Sequence, residues 1–219
     1  MEELAKAIQK KYVDDLTAKY PLHNFLILFL FILSSYIYND LPSERILPAL
    51  SSINISFLFD FKKGLLSAVS LSQFGIAILQ TIAVTMIYSW LSKFFFRILS
   101  KSSDFDKYTK NIENNINASK SSDEIVNYYV SKDISIILNK QRTTLKGFHI
   151  KAEILLTFLV ILITGINDLI FIDWLFLIAS IFLIVFIQWR LFLFYISNFI
   201  PYYVSEKCLL NGEYSFGDK

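Results

Sequence analysis

From Gly64 to Ser92 the chain runs 29 residues without a charged side chain, between Lys62 and Lys63 on one side and Lys93 and Arg97 on the other. A helix rises about 1.5 Å per residue and the hydrocarbon core of a bilayer is about 30 Å thick, so a run of this length crosses a membrane with some tilt. The rest of the sequence agrees. Of 219 residues, 54% are hydrophobic and 21 are Phe, more apolar surface than one soluble core of that size buries.

Three further segments read as spans. Phe25 to Tyr38 carries no charge and, with Tyr20 and Leu22 extending it behind Pro21, gives a first span over 21–38. The run 64–92 is the second. Ile154 to Ile166 and Trp174 to Gln188 form a helical hairpin, with spans 151–167 and 174–199 around an outer turn, 168–173, whose Asp168 and Asp173 read as solvated loop charges. The expected fold class is an all-α polytopic membrane protein of four transmembrane helices. Glu2 and Glu3 precede any apolar run, so a cleaved secretory signal is not expected. In residues 1–20, Leu4, Ile8, Tyr12 and Leu16 recur at four-residue steps among Lys and Asp, which predicts an amphipathic helix lying on the membrane surface or packed on a neighbour.

Lys and Arg set the orientation. Four lie in the N-terminal segment, eleven in 93–151, three in 39–63 and none in 167–173. The bias places both termini, the 93–150 insert and the 200–219 tail in the cytoplasm, and the 39–63 loop outside. Trp90 and Trp174 fall at span ends, where indole rings favour the interface. Frequent Lys, Asn and Ile fit an AT-rich coding bias and so a bacterial source, and the expected location is the bacterial inner membrane.

Several function classes drop out. A net charge of +2 in scattered clusters does not suit direct nucleic-acid binding. Cys208 is the single cysteine, and His23 and His149 are far apart with no ligand spacing, so no disulfide, metal or cofactor is expected. No grouped Asp, His or Ser-Lys set lies inside a span, so no catalytic residues are assigned and the chain is read as a non-enzyme.

Four segments carry the functional expectations. In the outer loop Ile53, Ile55, Phe57, Phe59 and Phe61 alternate with Asn54, Ser56, Leu58, Asp60 and Lys62, a period of two that predicts a strand-like segment. A lone strand needs a partner edge, in this chain or a neighbouring copy, or lies on lipid with its phenylalanines down. On the second span Ser70, Gln73, Ala77, Gln80 and Thr81 share a face that lipid should not meet, which predicts either interhelical hydrogen bonding, within a subunit or between subunits of a homo-oligomer, or the lining of a pore at the axis of an oligomer. In the insert, Ser121 with Glu124 has capping-box spacing, Ser122 competes as cap, and a helix runs to about Arg142. Its apolar stripe through Ile125, Tyr129 and Ile136 either packs on a mate over 104–116 or receives a soluble cytoplasmic partner. Finally, Glu153 and Arg190 lie at similar depth on the last two spans and are expected to pair near the cytoplasmic interface.

Together the length, four spans with both ends inside, cytoplasmic helical insert and outer loop resemble the membrane subunit of the Kiwa type of bacterial antiphage defence. The resemblance lies in layout and covers the whole chain. It implies a homo-oligomeric inner-membrane sensor that works with a soluble cytoplasmic effector, and it carries over no individual residue. Four-span bacteriocin immunity proteins share the size and topology, and a small oligomeric channel is a third reading that rests on the Gln73 and Gln80 face.

Overall fold

The computed structural model describes residues 21–40, 49, 53–60, 62–100, 105–165 and 171–211. Among these, every regular element is helical: α1 (Pro21–Asp40), α2 (Ile55–Phe59), α3 (Leu65–Ala68), α4 (Leu71–Ser100), α5 (Phe105–Ser119), α6 (Glu124–Thr164), α7 (Phe171–Phe194), a π-helical turn (Tyr195–Phe199) and α8 (Ile200–Asn211). Four helices are long and apolar enough to cross a membrane, over Leu22–Asn39, Leu71–Ser100, within Glu124–Thr164 and over Phe171–Glu206. The amphipathic segment expected over 1–20, the outer-turn residue Asp168 and the end of the tail lie outside the described residues.

The chain forms two compact units, one from Lys19–Tyr88 and Ile150–Val185, the other from Ser89–His149 and Phe186 onward. In the first, α1 starts at Pro21, whose fixed φ suits a helix start and whose missing N–H leaves nothing unsatisfied there. Ile27, Phe31, Ser34 and Ile37 recur at steps of three and four and are buried. One residue further on, the Tyr38 hydroxyl donates to the Ile161 carbonyl of α6 at 2.7 Å. The tyrosine ring fills the space that a Cβ at Gly165 would need, so the glycine is what lets the two helices approach. Phe158 of α6 meets Phe176 of α7 edge to face at 6.3 Å.

The segment expected as an outer loop corrects the strand expectation. Ile55, Phe57 and Phe59 lie in the short helix α2, Ile53 precedes it, and Phe61 is outside the described residues. With no partner edge among the described residues, the backbone closes on itself. The Phe57 N–H donates to the Asn54 carbonyl at 3.0 Å, and the Asp60 carboxylate accepts from the Lys62 and Lys63 N–H groups at 2.8 and 3.2 Å. Gly64 follows because a Cβ there would collide with the Phe57 and Asp60 carbonyl oxygens. Phe57 packs back on Tyr36 of α1, ring centroids 5.2 Å apart.

The second span also starts later than expected. Leu65 to Ala68 folds into α3 behind its N-cap Gly64, the chain extends at Val69, and α4 begins at Leu71. Ser70 and Gln73 set that start as a reciprocal capping box: the Gln73 N–H donates to Ser70 Oγ at 3.3 Å, and the Ser70 N–H to Gln73 Oε1 at 2.6 Å.

The second unit has an aromatic core. Phe96 packs edge to face on Phe192 and Tyr195, while Tyr195, Phe199 and Tyr203 stack in sequence with centroids 5.0 and 6.2 Å apart. Pro201 explains the π-helical turn before it. Its ring and missing N–H cannot continue α-helical bonding to Ser197, and the helix widens so that the Ile200 N–H reaches the Tyr195 carbonyl five residues back. The extra residue turns Tyr195, Phe199 and Ile200 all inward. The tail expected from 200 is thus helical to Asn211. It packs on α5, where the Tyr108 hydroxyl donates to the Ile196 carbonyl at 3.1 Å and burial pushes that phenol above its ordinary pKa.

Helix α6 departs most from expectation. The insert helix and the third span are one uninterrupted helix of 41 residues, with no break near 150. Its cap is Asp123, not Ser121 or Ser122: the Asp123 carboxylate accepts from the Ile125 N–H at 2.8 Å. Ser121 is instead bracketed by the Asn127 amide, through bonds of 3.1 and 2.8 Å. The buried face therefore runs through Asn127, Ser131, Leu138 and Leu145, and the stripe expected to pack on 104–116 faces outward.

Candidate functional site

A hydrogen bond links two distant parts of the sequence inside the first unit. His23 stands in the first turn of α1, and its Nε2 lies 2.9 Å from Oε2 of Glu153 on α6, 130 residues away. Glu153 is 0% exposed and the His23 side chain 11%. An imidazole N–H donating to a carboxylate is a charge-assisted bond, which offsets part of the desolvation of a carboxyl placed at the start of a membrane-length apolar run. Thr157 closes the turn below, its hydroxyl donating to the Glu153 carbonyl at 2.9 Å.

His149 precedes Glu153 by four residues on the same unbroken helix, so the two side chains share a face one turn apart. It is 6% exposed. The His23–Glu153 pair was hidden in the sequence by the 130 residues between its members, and only the pairing of α1 with the second half of α6 reveals it.

The residues singled out in the sequence fall as follows. Glu153 bonds His23, while the guanidinium of Arg190, with which it was expected to pair, lies 5.8 Å from the ring centroid of Phe186 on its own helix. Ser70 and Gln73 cap α4, Ala77 is buried and accepts at its carbonyl from the Thr81 hydroxyl at 2.8 Å, and Gln80 and Thr81 are half-buried. Thr81 thus spends its hydroxyl on its own helix, and the capping role divides the face in two. Ile125, Tyr129 and Ile136 are 66, 62 and 64% exposed. Asp173, expected as a solvated loop charge, is 2% exposed in the first turn of α7, where the helix dipole favours a carboxylate. Cys208 is buried, with the Lys120 ammonium donating to its carbonyl at 3.2 Å.

Compared with known protein families, with curated proteins and with solved structures, the chain matches none of them.

Proposed function

We propose that this chain is a non-catalytic inner-membrane protein of bacterial antiphage defence, a sensor and scaffold that self-associates and engages a soluble cytoplasmic effector through the first half of α6. One observation carries the reading. Ile125, Tyr129 and Ile136 stand well exposed on a helix that also bears Glu124, Lys132, Asp133, Lys140, Arg142 and Lys146, then runs unbroken into a membrane-length apolar half. That density of charge does not enter hydrocarbon, so lipid cannot cover the patch and a protein surface can. An amphipathic helix or apolar groove on the effector fits such a stripe. The Lys and Arg asymmetry supports a cytoplasmic position for this half, and the resemblance in layout to the Kiwa membrane subunit supports the antiphage setting.

Tyr129→Asp combined with Ile136→Asp is expected to leave membrane insertion intact and to reduce recovery of the effector by at least about tenfold, because both sites are exposed and the new charges sit in the middle of the proposed contact. The measurement is crosslinking in native membranes followed by purification and identification of the product of the neighbouring gene. Undiminished recovery with the double variant would remove the proposal. Crosslinks to further copies of the chain alone would move the stripe to self-association, and a chain that protects against one toxin with no effector would favour the immunity-protein reading.

A further inference from the structure

The break in the helical path between α3 and α4 leaves room beside α1. Ile32 of α1, Leu66 of α3, the extended Val69, and Ser70, Leu71 and Phe74 at the start of α4 line an open cavity of about 320 Å³, all within the first unit. We propose that this cavity seats an acyl chain of an anionic phospholipid, with Lys62 and Lys63 set against its phosphate.

The lining does not suit a polar occupant. Ser70 is its one polar side chain, and the capping box already engages it. The Ser70 N–H donates to Gln73 Oε1 at 2.6 Å, its Oγ accepts from the Gln73 N–H at 3.3 Å and bonds Ser72 Oγ at 2.9 Å, and its carbonyl accepts from the Phe74 N–H at 3.0 Å. Ordered water needs about two to four polar partners, which this cavity does not offer. The surroundings favour lipid. Leu66 and Leu71 are 54 and 88% exposed beside a helix long and apolar enough to cross a membrane, and the medium around such a helix is hydrocarbon. Size sets how much of the lipid enters: ligand clefts run from about 300 to 1,000 Å³, and one near the lower end takes part of a single chain and no headgroup. Charge selects the headgroup. Lys62 and Lys63 are exposed and directly precede Gly64, the N-cap of α3, so they stand at the same end of the span as the cavity. The Asp60 carboxylate beside them holds the turn by accepting from their backbone N–H groups, and residues 60–63 keep a net positive charge. Lysine stems lie along apolar surface while their ammonium groups reach the level of the phosphates.

The experiment reconstitutes the full-length chain in phosphatidylethanolamine vesicles that carry a phospholipid with a diazirine at the end of one acyl chain, headed by either phosphoglycerol or phosphocholine. After illumination, the labelled residues are mapped by peptide mass spectrometry. With the phosphatidylglycerol probe, label on residues 66–74 should exceed label on the exposed Phe182 and Phe186 of α7, and it should fall by at least about threefold with the phosphatidylcholine probe. Lys62→Gln combined with Lys63→Gln should remove this headgroup preference. Val69→Trp, which fills the cavity, should lower label on 66–74 from both probes and leave label on α7 unchanged. The wild-type comparison needs no variant to fold. Even label over α4 and α7, equal label from the two headgroups, lysine variants that keep the preference, or a Val69→Trp protein labelled like the wild type would each overturn the proposal. Absence of label from 66–74, the result of a second copy seated over the cavity, would overturn it as well.

Discussion

Replacing His23 by Ala is expected to lower the stability of the protein in detergent by about 3 to 5 kcal/mol, the range found when one member of a buried charged pair is removed. Glu153 is fully buried, and the imidazole 2.9 Å from it is lost in this variant while the carboxyl stays where it is. The second substitution distinguishes pair from packing. Adding Glu153→Leu removes the carboxyl and replaces it with an apolar side chain of similar size, so the double variant should recover part of the loss, whereas independent residues would give losses that add. The same cycle with Arg190→Gln in place of His23→Ala should show weaker coupling, because the Arg190 guanidinium rests on Phe186. Unfolding monitored by far-ultraviolet circular dichroism at fixed detergent concentration measures all the variants. A His23→Ala loss under about 1 kcal/mol, or stronger coupling to Arg190, would contradict the assignment of His23 as the partner of Glu153.

The second large effect concerns the continuity of α6. Gly147 sits where the helix passes from its charged to its apolar half, and a Cβ added there meets nothing within 4 Å. Gly147→Ala should therefore stabilise the protein by roughly 0.5 to 1 kcal/mol through helix propensity alone. Gly147→Pro should do the reverse by about 3 kcal/mol or more, since proline removes the N–H that bonds the Thr143 carbonyl and its ring clashes with that oxygen. If the effector acts on the membrane half through a rigid helix, the Pro variant also separates recruitment, which needs only Ile125, Tyr129 and Ile136, from defence against phage. Opposite signs for Ala and Pro are the outcome that an unbroken helix requires. Equal stability of both variants would show a helix already broken at that point.

The four spans were legible in the sequence because lipid imposes one simple requirement, length without charge, that Phe25 to Tyr38 and Trp174 to Gln188 meet on inspection. The buried face of α6 was not. Two sets share its helical spacing, Ile125, Tyr129 and Ile136 on one side and Asn127, Ser131, Leu138 and Leu145 on the other, and hydrophobicity alone favours the first. The second is buried because the Asn127 amide is consumed in closing the turn at Ser121 and because Leu138 and Leu145 fill the aromatic core. The outer loop misled for a related reason. Alternation at Ile53, Ile55 and Phe57 describes a strand only where a neighbouring edge exists, and local bonds accepted by the Asn54 carbonyl and the Asp60 carboxylate took its place. The His23–Glu153 pair leaves no spacing signal, because its two members stand 130 residues apart and meet only where α1 packs on α6.

The proposed orientation of the spans underlies the proposed docking surface, and cysteine accessibility measures it directly. The native Cys208 is buried and reports poorly, so it is replaced by Ala, and single cysteines are placed at Asn54 and Asn114, both exposed. With a membrane-impermeant maleimide, the Asn54→Cys protein should label in intact cells, and the Asn114→Cys protein only after the inner membrane is permeabilised. Labelling of the Asn114 position in intact cells would contradict the account.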